Sequence, residues 1–209
     1  MQFGNDLHVT KPVSRLLAKN ILLLVIAATL AGCGVNNIPS YEESAVATWA
    51  QVENQYQRRA DLVPNLVQTV KGFAAQEASV LTAVVEARAR ASSMQLDADL
   101  LSDPESFALF QQNQEALSGA LSRLLVTVEA YPDLKSNQNF LALQSQLEGT
   151  ENRISVARRD YIDAVRRYNT ELKTIPGRWW ASFLYPEAKP MATFSSTPET
   201  STPPNVSSE

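Results

Sequence analysis

Residues 140–175, FLALQSQLEGTENRISVARRDYIDAVRRYNTELKTI, decide the fold class of this chain. Apolar side chains recur there in steps of three and four, which is the spacing of one face of an α-helix. The stretch predicts a long helix, helix D, over about residues 136–175, with a heptad-like seam and a stop at Pro176-Gly177. The residues expected to face inward are Phe140, Leu143, Leu147, Ile154, Tyr161, Val165, Tyr168, Leu172 and Ile175.

Helix A is expected upstream, over about residues 41–60, because Ser40 and Glu43 have the spacing of a capping box. Pro64 lacks a backbone N–H, and its ring disfavours helical geometry in the residue before it. The chain is therefore predicted to reverse at residues 61–64.

Helix B is expected to follow to about residue 94, and helix C to run to about residue 131. Asp103 is placed to cap helix C, with Pro104 at its first position. A continuous A–B rod of about 54 residues would be about 80 Å long, against about 42 Å for helix C, and would leave the apolar stripe of helix A exposed. A reversal near Pro64 gives every stripe a partner, so the predicted fold is all-α, an antiparallel up-down-up-down four-helix bundle with long helices.

Residues 1–32 have the features of a bacterial lipoprotein signal peptide. Three basic residues precede the apolar stretch 21–30, which is too short to span a bilayer because a spanning helix needs about 20 residues. The sequence LAGC at 30–33 resembles a lipobox, so cleavage between Gly32 and Cys33 and acylation of Cys33, by palmitate or a similar chain, are predicted. The alternative is an uncleaved anchor helix with an incidental cysteine.

A lipid anchor on Cys33 determines the predicted location and domain order. Each buried CH₂ of an acyl chain contributes about 0.8 kcal/mol to membrane binding, so several chains hold the protein durably. We expect a cell-membrane or outer-membrane protein that faces the periplasm or the cell exterior, and Gly34 rather than Asp favours the outer membrane. A lipidated linker (33–39), a helical domain (40–185) and a disordered Pro/Ser/Thr-rich tail (186–209) are expected to follow the signal.

Charge and residue types exclude several classes of function. Removing residues 1–32 takes away three basic residues and one acidic residue, so the net charge of −4 becomes −6, which argues against nucleic-acid binding. His8 is the single histidine and is lost with the signal, so neither a Ser-His-Asp triad nor a His-ligated metal site can form. No catalytic residue, metal or cofactor is predicted.

Charged residues on or beside the apolar stripes form a candidate polar layer. It comprises Arg58, Arg59, Glu77, Glu129, Glu148, Glu151, Arg153 and Arg158. Such a layer could bind an ion or a partner. The alternative is a set of ion pairs that fixes the register of the helices.

The aromatic segment after helix D is a candidate membrane contact. In the predicted bundle, the start of helix A and the end of helix D share one pole, and the anchor makes that pole face the membrane. The candidate membrane-interface residues are Trp179, Trp180, Phe183 and Tyr185, because such side chains suit the headgroup region. The alternative is an aromatic cap that closes the end of the bundle core.

Several stretches resemble the LemA family. They are QRRADLVPNLV (57–67), VKGF (70–73), EAYPDLK (129–135), NF (139–140), LEGTENRI (147–154), RRDY (158–161) and YN (168–169), within residues 41–185. The resemblance implies a helical bundle on the outer side of a bacterial membrane, usually with an N-terminal anchor, and it brings no defined activity. Members often occur near membrane metalloproteases and other envelope proteins, which suggests a partner-binding role. Gln76 and Ile162 depart from the family pattern, which often has His and Asn there.

Three functions remain open at this point. The first is a non-enzymatic envelope lipoprotein that binds or scaffolds an envelope protein partner at the bilayer. The second is a membrane-remodelling element that acts through the C-terminal aromatic segment. The third is a carboxylate-only metal-dependent enzyme, since Mg²⁺ or Ca²⁺ can bind Asp and Glu without histidine.

Overall fold

The computed structural model describes residues 19–21, 34–93 and 98–194, and every regular element in these ranges is helical. The helices are α1 (Asn37–Phe73), α2 (Ala78–Ser92), α3 (Ala98–Ser102), α4 (Pro104–Val128), α5 (Pro132–Lys135), α6 (Gln138–Lys173) and α7 (Gly177–Phe183). The predicted all-α class is confirmed.

Helix D corresponds to α6, and most of its seam lies in the core. The side chain of Asn137 begins the helix by accepting hydrogen bonds from the backbone N–H groups of Asn139 (3.0 Å) and Phe140 (3.2 Å). Six of the nine predicted inward residues are buried, while Leu143 and Leu172 are half-buried. Ile175 is exposed, so its predicted inward position is wrong: α6 ends at Lys173, two residues before it.

The predicted reversal at Pro64 is wrong. α1 is one helix of 37 residues that contains Pro64 in its interior and begins at Asn37, three residues before the predicted Ser40 cap. A proline in a helix leaves the carbonyl four residues earlier without its N–H donor. Here that carbonyl belongs to Ala60, and Arg88 Nε of α2 donates to it at 2.8 Å. The tertiary contact thus replaces the hydrogen bond that proline removes, and the helix continues.

The chain reverses ten residues later, at residues 74–77, and α2 returns along α1. α2 is also antiparallel to α4: Gln114 Nε2 donates to the Ala91 carbonyl near the end of α2 (3.3 Å), while Tyr131, just after α4, donates to Glu77, just before α2 (2.6 Å). With 15 residues, α2 is about 22 Å long, against about 55 Å for α1, so it covers only one part of α1. The fold is therefore not the predicted bundle of four long helices, because α2 is short.

The start of α4 follows the predicted signal. Asp103 accepts a hydrogen bond from the Glu105 N–H (3.1 Å) and another from the Ser106 hydroxyl (2.6 Å), and Pro104 occupies the first turn. These bonds lower the pKa of Asp103, so the capping carboxylate stays charged.

α1 and α6 run antiparallel past one another. Three hydrogen bonds join them: Asn37 Nδ2 to Glu171 (3.2 Å), Arg153 Nε to Gln55 (3.2 Å) and Arg59 Nη1 to Glu151 (3.1 Å). Residue numbers rise along α1 as they fall along α6, so the two helices are antiparallel, and these bonds span residues 37–59 of α1 and 151–171 of α6.

The core has two parts. The aliphatic core lies where α2 is present and includes Val63, Leu66, Val84, Leu117 and Leu124. The aromatic core lies beyond the reach of α2 and is built around Trp49, Phe107, Phe110, Tyr161 and Phe194. Ring centroids in the aromatic core lie 5.0–6.3 Å apart, within the range in which aromatic pairs attract one another.

Residues 186–194, here called the C-terminal strap, pack beside the aromatic core. Phe194 is buried in it, and Met191 is hydrogen-bonded to Asn169 of α6. The expectation of disorder from residue 186 is therefore wrong for residues 186–194, because Phe194 supplies an apolar anchor. Residues 195–209 lie outside the described residues.

Candidate functional site

Arg59 lies in the interior of the molecule, with 3% of its surface exposed. It falls between Tyr56 and Val63 on the inner face of α1, at the three- and four-residue spacing that carries the apolar stripe. A charge in such a place must be paired and hydrogen-bonded, because burying an isolated one is very costly.

Hydrogen bonds engage both terminal nitrogens of the Arg59 guanidinium. Nη1 donates to Ser118 Oγ (2.7 Å) and to Glu151 Oε2 (3.1 Å). Nη2 donates to the carbonyl (3.2 Å) and the side-chain oxygen (2.7 Å) of Gln114. Nε has no hydrogen-bond partner within the described part of the chain. Arg59 therefore ties α1 to both α4 and α6, with one donor left over.

Tyr56 extends this cluster toward the aromatic core. Its ring lies 5.0 Å from the Arg59 guanidinium carbon, and its ring centroid lies 5.3 Å from that of Phe110. Burial raises the pKa of the Tyr56 phenol, although the nearby charges of Arg158 and Arg59 act in the opposite direction. The phenol therefore stays neutral at physiological pH.

The predicted polar layer is brought together only in part. Arg59 pairs with Glu151, whose side chain is 55% exposed. Arg153 lies two residues further along α6 and donates to Thr150 Oγ1 (3.2 Å). Arg158 lies at the aromatic core, where its guanidinium carbon is 4.2 Å from the centre of the Phe194 ring.

The other four predicted residues bond elsewhere or face solvent, although Glu148 also lines a groove beside Arg59. Arg58 is exposed. Glu77 accepts a hydrogen bond from the Tyr131 hydroxyl (2.6 Å) at the α1–α2 turn, and this bond raises the pKa of Tyr131. Glu129 pairs with Lys135, and Glu148 accepts from Gln144 Nε2 (3.0 Å) on the surface of α6. A single layer of eight charges does not form.

Sequence reasoning missed the residues that surround Arg59 on α4. Gln114 is buried and lies on the same face of α4 as Phe110 and Leu117. The sequence could have indicated it, because a polar residue stands there at an apolar position of the helical pattern. Ser118, one turn later, gave no comparable signal because serine is common on exposed helix faces.

A groove of about 280 Å³ lies next to Arg59 between α4 and α6. Leu121, Leu125 and Leu147 supply apolar walls, and Ser118, Ser122, Glu148 and Glu151 supply polar groups. In the described ranges, no group of three or more Asp, Glu, His or Cys side chains is arranged to hold a metal ion. The bonds of Arg59 to α4 and α6 suit the cluster to holding helices together, and the leucine walls suit the groove to contact with an apolar side chain.

The end of the bundle where α1 begins also carries α7. Gly34 has a positive φ of 94°, and a Cβ added to it would lie 3.8 Å from Pro176 Cγ. Gly177 must be glycine, because a Cβ there would lie 2.3 Å from the Glu171 carbonyl oxygen. This close approach lets α7 turn sharply against the end of α6, beside the first described residues of the domain.

Exposed apolar side chains cover the outer face of this end. We call Ile175, Trp179, Phe183 and Leu184 the α7 patch; Trp179 is 54% and Phe183 80% exposed. Of the predicted membrane-interface residues, these two are exposed, while Trp180 and Tyr185 are half-buried, and Trp180 Nε1 is buried. α7 thus both contacts the end of the bundle and presents an apolar surface to its surroundings.

The predicted anchor falls outside the described residues, which exclude 22–33 and therefore Gly32 and Cys33. Among the helices that the structure does describe, none has a stretch long and apolar enough to cross a bilayer.

Comparison with known proteins gives one family and three relatives. The family model of the LemA family matches residues 48–207. Two magnetosome proteins of Paramagnetospirillum magneticum, MamQ 1 and MamQ 2, are each 27% identical to this chain over 188 residues, which cover 81% of this chain and 68% of the relative. Magnetosome protein MamQ of Magnetospirillum gryphiswaldense is 26% identical over 181 residues, covering 79% of this chain and 66% of the relative.

Proposed function

Because this chain belongs to the LemA family, we propose that it is a non-enzymatic envelope protein, anchored to a membrane by lipid on Cys33, whose helical domain binds a protein partner. In this proposal the α7 patch lies on the bilayer surface and the two cores extend away from it. The patch is the observation that carries the proposal.

The position of the patch supports membrane contact. It adjoins Pro176, whose Cγ would lie 3.8 Å from a Cβ added at Gly34, one residue after the predicted acylated cysteine. Tryptophan with aliphatic neighbours is typical of the headgroup region, where the apolar ring is buried and its N–H stays hydrated. A surface of this kind beside an anchor point would otherwise be exposed to water.

Quenching of tryptophan fluorescence by brominated lipid tests this contact. The full chain is reconstituted in vesicles that contain a brominated phosphatidylcholine, and its emission is compared with that of Trp179→Phe and Trp180→Phe. We expect strong quenching that Trp179→Phe largely removes and Trp180→Phe changes little, because only Trp179 is well exposed. Quenching that is absent, or unchanged by Trp179→Phe, would refute membrane contact by the patch.

The partner-binding part of the proposal rests on the groove beside Arg59. Val126, on the outer surface of α4, is 73% exposed, and Leu125 on the same turn lines the groove. An affinity-tagged full chain should enrich an envelope protein from native membranes, and Leu125→Glu/Val126→Glu should lose it. Leu109→Glu is the control, since Leu109 is an exposed leucine elsewhere on α4.

Relatives named as magnetosome proteins are consistent with an envelope-associated role but supply no activity for this chain.

A membrane-remodelling role has one supporting observation, the apolar α7 patch. Electron microscopy of vesicles carrying the full chain and the Trp179→Ala/Phe183→Ala variant tests it: tubulation that depends on both residues would favour remodelling over partner binding.

A further inference from the structure

Polar groups of the domain bind the backbone of the C-terminal strap. Asn169 bonds both polar groups of Met191, accepting from its N–H (2.9 Å) and donating to its carbonyl (2.8 Å). The Ala192 N–H donates to the Leu101 carbonyl (2.7 Å), and the Ala192 carbonyl accepts from the Tyr161 hydroxyl (2.8 Å). All four backbone groups of two consecutive residues are therefore satisfied, as in sites that bind extended peptides.

Phe194 anchors the same segment by its side chain. Its ring centroid lies 5.0 Å from that of Phe107, 5.8 Å from Tyr161 and 6.3 Å from Trp49. The guanidinium of Arg158 lies over the ring, with its central carbon 4.2 Å from the ring centre. A pocket of aromatic rings closed by a cation favours an aromatic side chain over an aliphatic one.

We propose that α3 and α6 form a peptide-binding groove, that the strap is its resident ligand, and that two copies of the chain associate by exchanging straps. The first part of the strap, from Pro186 to Pro190, is non-helical and joins the bound residues 191–194 to α7. An exchanged strap makes the same contacts as one bound in its own chain, so local concentration determines the balance between the two arrangements.

The exchange between copies rests on the proposed function, because a shared membrane anchor would raise the local concentration of the chain. The groove itself does not depend on the anchor. A failure of the peptide experiment below is therefore distinguishable from a failure of the Trp179 quenching experiment.

A fluorescent peptide of residues 186–198 tests the groove. It is titrated against the full chain carrying Phe194→Ala, whose own strap lacks the buried aromatic ring, and the fluorescence anisotropy of the peptide is measured. We expect saturable binding, at least tenfold weaker for the peptide with Phe194→Ala and at least tenfold weaker for the wild-type chain, whose groove is occupied. Equal binding of the two peptides, or none at millimolar concentration, would overturn the proposal.

The double variant Phe194→Ala/Asn169→Ala is the matched control for the groove. It keeps the weakened strap but loses the amide that holds Met191, so it should bind the peptide at least tenfold more weakly than Phe194→Ala alone. Circular dichroism checks that both variants retain their helix content. Should Phe194→Ala fail to fold, the single variant Asn169→Ala should still expose the bond after Phe194 to chymotrypsin faster than wild type. Unchanged cleavage would contradict the proposal.

Complementation tests the second copy as the occupant. Phe194→Ala, with an intact groove, and Asn169→Ala, with an intact strap, carry different affinity tags in one vesicle population. Together they contain one complete strap–groove pair, so each should co-purify with the other at least tenfold above either variant paired with itself. Peptide binding without this co-purification would refute exchange between copies and assign the groove to the strap of its own chain or to a foreign peptide.

Discussion

A single side chain, that of Arg88, compensates for Pro64 in the interior of α1, which offers a sharp test of the fold. Arg88 Nε donates to the Ala60 carbonyl at 2.8 Å, and that carbonyl is the one that Pro64 leaves without a backbone donor. Ala60 is 5% exposed, so water cannot readily replace Arg88. We predict that Arg88→Ala lowers the free energy of unfolding by about 2 kcal/mol, the cost of an unsatisfied buried acceptor.

The effect of Arg88 should depend on the presence of proline. An interior proline costs a helix about 3 kcal/mol, and proline recovers about 1 kcal/mol of this by restricting the unfolded chain, so Pro64→Ala should stabilise the protein by about 2 kcal/mol. The restored N–H of residue 64 then bonds the Ala60 carbonyl itself. In this background Arg88→Ala should cost less than about 1 kcal/mol, giving a coupling energy of about 1 kcal/mol or more.

Urea unfolding followed by circular dichroism, on a chain that lacks residues 1–33, measures all four members of this cycle. Arg90→Ala is the control, because Arg90 lies half a turn away on α2 and is exposed, with only a 4.0 Å ion pair to Glu86. It should change stability by less than about 0.5 kcal/mol in both backgrounds. An equal loss from Arg88→Ala with and without Pro64 would show that Arg88 does not compensate for proline.

Three other predictions follow from the buried groups. Arg59→Ala should destabilise the domain by about 3 kcal/mol, because it leaves buried acceptors unpaired, whereas Arg58→Ala should change the free energy of unfolding by less than about 0.5 kcal/mol. Gly177→Ala should displace α7, because its Cβ would lie 2.3 Å from the Glu171 carbonyl oxygen; faster cleavage of residues 174–185 by chymotrypsin would report this, and wild-type cleavage would contradict it. Burial raises the pKa of Tyr168 from 10.0 to about 12, so its neutral form stabilises the folded state fully below pH 10 and progressively less as the pH rises toward 12. Tyr168→Phe should reduce the loss of stability over that window, and an unchanged pH profile would refute this assignment.

The family and much of the helical pattern could be predicted because they depend on local sequence. The resemblance to the LemA family, taken from short motifs, is confirmed by a family match over residues 48–207. The seam of α6 and the Asp103-Pro104 start of α4 also agree with the structure, since periodicity and capping act within a few residues. The anchor at Cys33 stays a prediction.

The candidate site was predicted less completely than the helices. Arg59 and Glu151 were recognised as polar residues near apolar stripes, and they do meet. Gln114 and Ser118, which complete the cluster, lie more than 50 residues from Arg59 in sequence and are linked to it by hydrogen bonds alone. Their partnership depends on which face of α4 meets α1, and a single sequence does not specify that.

The sequence by itself determined that this chain is helical, where α4 begins, which residues of α6 face the core for most of its length, and which family the chain belongs to, because these follow from local periodicity, capping and motifs. Only the tertiary structure decided where the first helix ends and what completes the aromatic core. Arg88 reaches across from α2 to satisfy the Ala60 carbonyl, so Pro64 does not end α1. Phe194 returns from the end of the described chain to fill the space that α2 is too short to reach. Both outcomes depend on contacts between residues that are distant in sequence, and so on the free energy of the assembled fold rather than on the preferences of any one segment.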